Sequence, residues 1–183
     1  MDSIEQSVEQ LAKAIKSPQM KLSNDSLKSV PQTIESIIES SQRPVYHLKT
    51  AASLLTPSLI EKLGDTRDSS RELALEALKE MYCTIHQQHA LHSMKERVSK
   101  DGSHHANPYE GMVTMLTEEI KMFAFGSKVP RVREQIVLWL VSVALILHNF
   151  ALKPYVPLLV KLLEDPNEAV RAVSKDAIIQ LYK

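Results

Sequence analysis

A nine-residue segment occurs twice in the chain, one hundred residues apart, and this repeat limits the possible folds more than any other feature of the sequence. The segment 57–65 is PSLIEKLGD, and the segment 157–165 is PLLVKLLED. An arginine follows the final aspartate of each copy by six residues, as Arg71 and Arg171, and apolar residues continue after it at helical spacing. Each copy therefore predicts a helix, a short polar turn and a second helix.

A third copy surrounds Arg133, which takes the place of Arg71 in the pattern. Arg133 and Arg171 are 38 residues apart, close to the roughly 40-residue period of paired-helix repeats. The core positions that follow this arginine are filled by apolar residues at the same helical spacing as in the other copies. Repeats of this kind bury their apolar faces by stacking on one another.

The first helix pair has a weaker pattern, with apolar positions over 4–15 and 26–38 around a polar break at 17–25. Pro31 is expected to start or kink the second of these helices, because proline lacks the N–H that an interior position uses. Together with the stronger copies, this pattern predicts four helix pairs, at about 3–41, 46–92, 109–150 and 154–182.

The resulting prediction is an all-α fold, an α-solenoid of about four helix pairs that forms a single domain over 1–183. The low count of glycine, four, and the aromatic content of 5% argue against a sandwich or a barrel. Between the second and third pairs, the polar stretch 98–108 predicts a longer surface loop.

The charges of the chain balance, with 22 Lys and Arg against 22 Asp and Glu. No basic excess points to nucleic acid or to a membrane surface, so neither is predicted as a partner. The run 136–147 is apolar except for Ser142, but a membrane span needs about 20 such residues, and the run therefore predicts a buried central helix. A single cysteine, Cys83, excludes an internal disulfide and favours a reducing compartment.

Cys83, His86, His89 and His92 recur at every third residue and suggest a metal site. Steps of three slip by roughly 60° each on an α-helix, so the four side chains cannot converge as zinc ligands must. We therefore predict no metal and no cofactor. The sequence also lacks a nucleophile elbow, a phosphate-binding loop and a dinucleotide motif, which favours a protein that is not an enzyme and takes no small-molecule substrate.

The pattern Asp-x5-Arg places a carboxylate in a turn and a guanidinium in the next helix, at Asp65 with Arg71 and at Asp165 with Arg171. A carboxylate near a helix N-terminus is stabilised by the helix dipole and by free N–H groups, and the arginine can reach the neighbouring turn. We interpret both pairs as structural.

Other basic residues of the turns have no such explanation: Arg67 in the second turn, and Lys128 and Arg131 in the third. In a stacked array the intra-pair turns project along the same side, so these cations are predicted to form a ridge. Lys21 in the first turn and Lys175 near the last turn extend it.

The turn sequences resemble the HEAT repeats of the TOG domains of CLASP microtubule-associated proteins. The resemblance is carried by 55–72, which contains the motif Leu-Gly-Asp-x-Arg-Asp-Ser, and by 128–134 and 156–171. It extends from about 48 to 182 and is faint before residue 46. Against the six repeats of a family domain, the matching part of the chain begins near the second and ends near the fifth.

This resemblance implies a TOG-like array of HEAT repeats that binds the tubulin heterodimer or the microtubule lattice and regulates microtubule dynamics without catalysis, in the cytoplasm, on microtubules and on the spindle. The basic turn residues of the family map by motif onto Arg67, Lys128, Arg131 and Arg171, and Lys21 is added from the ridge. Tubulin has an acidic surface, so such a row would steer the encounter. The alternative is a HEAT scaffold that binds another protein or a peptide through its helical faces.

Overall fold

The computed structural model describes residues 3–98 and 106–182, except for the side chains of 96–98, and all regular structure in these residues is helical. A π-helical segment, Ile120–Phe125, continues the fifth helix. The all-α prediction is confirmed. The helices are α1 Ser3–Ile15, α2 Met20–Ser40, α3 Pro44–Lys62, α4 Asp68–Val98, α5 Glu110–Glu119, α6 Pro130–Ile146, α7 Val156–Leu162 and α8 Glu168–Leu181.

Proline and asparagine mark several helix starts. Pro44, Pro130 and Pro157 occupy the first or second position of α3, α6 and α7. The N–H that proline lacks has no partner within a helix at these positions, and its fixed φ suits the first turn. At α8 the side chain of Asn167 accepts a hydrogen bond of 3.3 Å from the N–H of Val170 and caps the helix.

The helices stack in two layers. In one layer α3 packs against α1 and α5, and in the other α4 packs against α2 and α6, while α8 packs against α6. The two helices of a pair also contact each other, as α1 with α2, α3 with α4, and α7 with α8. This arrangement is the predicted solenoid of four helix pairs.

An aromatic cluster lies in the core of the second half of the array. Trp139 of α6 is fully buried, and its ring meets the Tyr82 ring edge-on at a centroid distance of 5.1 Å. Tyr155 lies 6.4 Å from Trp139 and stacks on Phe150 at 5.5 Å. The cluster thereby joins α4, α6 and the segment that leads into α7.

The start of α2 differs from the sequence-based prediction. The helix begins at Met20 and not at residue 26, so the polar break is limited to 16–19. Ser23 donates a hydrogen bond of 2.6 Å to the carbonyl of Ile15, and Ser26 donates one of 2.7 Å to the carbonyl of Leu22. Both hydroxyls are thus satisfied in the interior, which explains how polar residues occupy buried helical positions.

Pro31 lies inside α2 and does not start it, so of the two alternatives only a kink at Pro31 stays a prediction. At the other end of the second pair, α4 continues to Val98, six residues beyond the predicted end at 92. Of the predicted loop 98–108, residues 99–105 lie outside the described part. Asn107 then anchors the chain by donating hydrogen bonds of 2.9 Å to the carbonyl of His89 and 2.8 Å to Ser93.

Helix α6 is central, as predicted, because it packs against both α4 and α8. It is not buried on all sides, however, since Leu138, Leu145 and Ile146 are exposed. The run 136–147 lies in the layer that also contains α2, α4 and α8, and several of its solvent-facing positions are apolar. Within the residues that the structure describes, no helix is both long and apolar enough to span a membrane.

Candidate functional site

The four intra-pair turns lie side by side along one edge of the array. Lys16, at the end of α1, forms an ion pair of 3.1 Å with Glu61, at the end of α3. The start of α2 contacts the start of α4, where Ser70 donates a hydrogen bond of 2.9 Å to the side-chain oxygen of Asn24. The second and third turns are close enough that a Cβ atom at Gly64 would lie 3.1 Å from a methyl group of Val132.

The third and fourth turns are joined by a mostly buried ion pair. Arg133 donates from Nε and Nη2 to the two carboxylate oxygens of Asp165, at 2.7 and 2.8 Å. The side chains of Arg133 and Asp165 are only 11% and 5% exposed. Hydrogen bonds from Arg133, and one of 2.9 Å from the N–H of Asn167, hold the pKa of the Asp165 carboxyl below its usual value. With this pair the contacts between turns run through all four repeats.

A repeated arginine fastens each of the last three turns. Arg71 donates a hydrogen bond of 2.8 Å to the carbonyl of Asp65, Arg133 one of 2.6 Å to the carbonyl of Ser127, and Arg171 one of 2.7 Å to the carbonyl of Asp165. These carbonyls belong to turns, where helical partners are absent. The structural interpretation of the Asp-x5-Arg pattern fits this geometry, although the arginine binds the backbone of the turn aspartate and not its carboxylate.

Arg171 was also a candidate for partner binding. Its Nη1 donates to the carbonyls of Asp165 and Pro166, and its side chain is half-buried. The guanidinium therefore stabilises its own turn. A role in binding a partner remains a prediction.

Arg67 differs from the expectation that it has no partner within the fold. It donates from Nε and Nη2 to the carboxylate of Asp65, at 2.9 and 2.8 Å. These hydrogen bonds hold the pKa of Asp65 well below its usual range, and Lys62 adds a contact of 3.4 Å. Because the two residues are two positions apart in one tight turn, the side chains reach each other without crossing to another element. The outer side of Arg67 is still accessible, with 36% of the side chain exposed.

Lys128 and Arg131 are exposed cations at the third turn. Both are exposed, and neither forms an ion pair or side-chain hydrogen bond within residues 3–98 and 106–182. Lys21 is also exposed, in the first turn of α2. Lys175 is the eighth residue of α8, about 10 Å along the helix from the turn, so it does not extend the ridge as predicted.

An apolar groove of about 390 Å³ lies between the second and third turns, and the pattern of basic residues in the sequence did not predict it. Phe123 of the π-helical segment and Val129 of the third turn line it and are 54% and 46% exposed. The π-helical hydrogen bonds span five residues and not four, which shifts the side chains from the phase that a regular helix predicts. Helical periodicity therefore gave no signal for Phe123.

The histidine-bearing helix α4 does not gather ligands. Cys83 is buried, the rings of His86 and His89 are 6.1 Å apart, and burial lowers the pKa of His86. In the part of the chain that the structure describes, no group of three or more His, Cys, Asp or Glu side chains is placed to hold a metal ion.

Paired helices, two layers and a row of fastened turns define the class of fold: the chain is an α-solenoid of HEAT repeats. The crystal structure of the MAST/Orbit N-terminal domain aligns with 100% of this chain and 78% of its own, at 20% identity and a TM-score of 0.54. The CEP104 TOG domain aligns with 98% of this chain and 82% of its own, at 15% identity and a TM-score of 0.40. The alignment with the MAST/Orbit N-terminal domain supports the assignment of the fold.

Two curated proteins are similar in sequence. Protein stu-1 of Neurospora crassa is 28% identical over 145 residues, and Protein STU1 of Gibberella zeae is 27% identical over 147 residues. The alignments cover 78% and 79% of this chain, and the chain spans about a tenth of the length of these relatives. No protein-family model matches it. The resemblance to CLASP proteins is confirmed: the chain has the fold of a CLASP-type TOG domain.

Proposed function

We propose that the chain is a tubulin-binding module that regulates microtubule dynamics by non-covalent binding through its row of intra-repeat turns. The CLASP-type TOG fold supports this function. The observation that carries it is the pair of exposed cations, Lys128 and Arg131, on an edge where neighbouring turns are held together by ion pairs and packing. As a binding module it needs no cofactor and carries out no catalysis, and it acts in the cytoplasm on microtubules and the spindle.

The arrangement suits recognition of an acidic protein surface. Lys128 and Arg131 have no carboxylate partner in the described residues to neutralise them, while Arg67 is partly neutralised by Asp65. Free cations on a rigid edge attract an acidic partner over roughly one Debye length, about 8 Å at physiological salt. The chain as a whole is neutral, so the attraction is local to this edge. We therefore assign the main electrostatic role to the third turn and a lesser one to Arg67 and Lys21.

The test is binding to purified tubulin by the double variant Lys128→Glu and Arg131→Glu. We expect the affinity to fall by about tenfold or more, because two attractions become repulsions. Biolayer interferometry at low and moderate salt would measure it, and the difference from the wild type should shrink as salt rises.

The control is the single charge reversal Lys153→Glu, at an exposed lysine in the connection between α6 and α7, at the opposite edge of the array. It changes the net charge but leaves the turns intact, and we expect it to bind nearly as the wild type does. Equal losses in the control and the double variant would contradict a site at the turns. A folded wild type that does not bind tubulin at low salt would refute the proposal.

The scaffold alternative is favoured by one feature, a groove of about 370 Å³ between α4 and α6. Its lining combines apolar Leu75 and Leu138 with three carboxylates and one guanidinium, and this acidic excess suits a basic amphipathic peptide; the charged residues are Asp68, Glu72, Glu76 and Arg71. The variant Leu138→Glu should block such a peptide and leave tubulin binding unchanged, so the two functions are separable by one pair of measurements.

A further inference from the structure

The groove between the second and third turns is apolar and lies next to the exposed cations of the third turn. Phe123 and Val129 line it together with Ile60 and Val132, and about half of each of the first two side chains is open to solvent. Single exposed apolar residues are ordinary on protein surfaces. Here two of them line the same concave site, which is typical of a place where a partner inserts a side chain.

Two backbone features keep the groove open. Gly64 forms part of its lining, and a Cβ atom there would lie 3.4 Å from a methyl group of Val129 and 3.1 Å from one of Val132. Any larger residue at position 64 would therefore occupy space between the two turns. On the other side, the π-helical segment carries Phe123 into the lining while its neighbours Ala124 and Phe125 are buried.

The charges around the groove indicate the kind of partner. Lys128 directly precedes Val129 and is exposed without an ion pair in the described residues, and Arg131 follows two positions later. The one carboxylate in the lining is Glu61, whose charge is offset by Lys16 at 3.1 Å. The unpaired charges next to the groove are therefore positive, and an apolar side chain flanked by carboxylates would fit it.

The geometry points to a two-part contact in which this groove receives an apolar side chain from the acidic surface of tubulin, while Lys128 and Arg131 bind the carboxylates beside it. The inference rests on the proposed function and adds a specific anchoring site to it. Steering by charge brings the partner to the edge, and burial of the apolar side chain then slows dissociation.

The test compares Phe123→Ser and Val129→Ser with Met122→Ser in binding to purified tubulin. Met122 precedes Phe123 and is 65% exposed, but it does not line the groove, so it is the matched control. We expect affinity losses of about tenfold for Phe123→Ser and about threefold for Val129→Ser, and less than twofold for the control. The ratios to wild type should hold at higher salt, whereas the ratio for Lys128→Glu should shrink.

Circular dichroism would first establish that each variant is folded. Val129 is the N-cap residue of α6, and serine is favoured at that position, so Val129→Ser can decide the question if Phe123→Ser fails to fold. If both groove variants bind as Met122→Ser does while Lys128→Glu is impaired, the anchoring site is overturned and the cationic edge stands. If the wild type does not bind, the proposed function fails and the inference fails with it.

Discussion

Asp165 accepts hydrogen bonds from the repeat before it and from its own turn, and its carbonyl accepts another from Arg171. One residue therefore connects the third repeat, the fourth turn and α8. The sequence predicted a turn carboxylate, but it could not show that Arg133, 32 residues earlier, would be its partner. The partner is set by how the repeats stack, and stacking is not visible in local spacing.

Replacing Asp165 by asparagine should lower the free energy of unfolding by about 3 kcal/mol at pH 7. The change leaves the guanidinium of Arg133 mostly buried without its carboxylate, and breaking such a pair is costly. Urea denaturation would measure the loss. The control is Asp176→Asn, an exposed position on α8, which should change the stability by less than about 0.5 kcal/mol.

The same pair makes a prediction about pH. The folded-state pKa of Asp165 lies below its unfolded value, so its contribution to stability is complete above the unfolded pKa of about 3.9 and is lost as the pH falls through the folded pKa. Asp65 acts in the same direction. We expect Asp165→Asn to lose less stability on acidification than the wild type, as measured by urea midpoints from pH 6 down to about pH 3. If the urea midpoints of the two proteins fall equally as the pH is lowered, Asp165 is not the group whose protonation destabilises the fold.

At the level of elements, the π-helical segment Ile120–Phe125 ends at Gly126, where a side chain would collide with the main-chain oxygen of Met122. The substitution Gly126→Ala should therefore cost about 1–3 kcal/mol in the free energy of unfolding.

Gly111, in α5, has no neighbour near the added methyl group. Gly111→Ala should gain about 0.5 kcal/mol, because alanine loses less backbone entropy on folding. Thermal denaturation would show opposite shifts, and a gain at Gly126 would contradict the described geometry.

The helices themselves were largely predictable, because the repeat at 57–65 and 157–165 and the 3.6-residue apolar spacing determine which faces are buried. The errors have physical causes. The polar stretch 17–25 suggested a break, but Ser23 within it bonds to a helix carbonyl in the interior, and Phe123 lies in a segment with a different period. The repeat pattern offered no structural explanation for Arg67, because its partner Asp65 lies two residues away and outside the Asp-x5-Arg spacing.

For the whole molecule, the extensive helix contacts lie within a repeat or between neighbouring repeats, so stability should vary along the array. Helix α4 packs against α2, α3, α5 and α6, whereas α8 packs against α6 and α7. We expect amide hydrogen exchange to be slowest in α4 and α6 and faster in α8, because the end repeat can open without disturbing the middle. Mass spectrometry with pepsin fragments would measure this. Equal protection in α8 and α4 would indicate a single cooperative unit.

The close approach of Gly64 to Val132 and the hydrogen bonds from Arg133 to Asp165 fix how far apart neighbouring turns lie. Packed helices lie about 8–10 Å apart, so the interior contacts between repeats fix the spacing of the turns along the edge. A partner that contacts several turns at once must present its binding groups at the same spacing. A larger residue at position 64 would therefore change the distance between the second and third turns. This would weaken contacts at distant turns, although every side chain that touches the partner is unchanged.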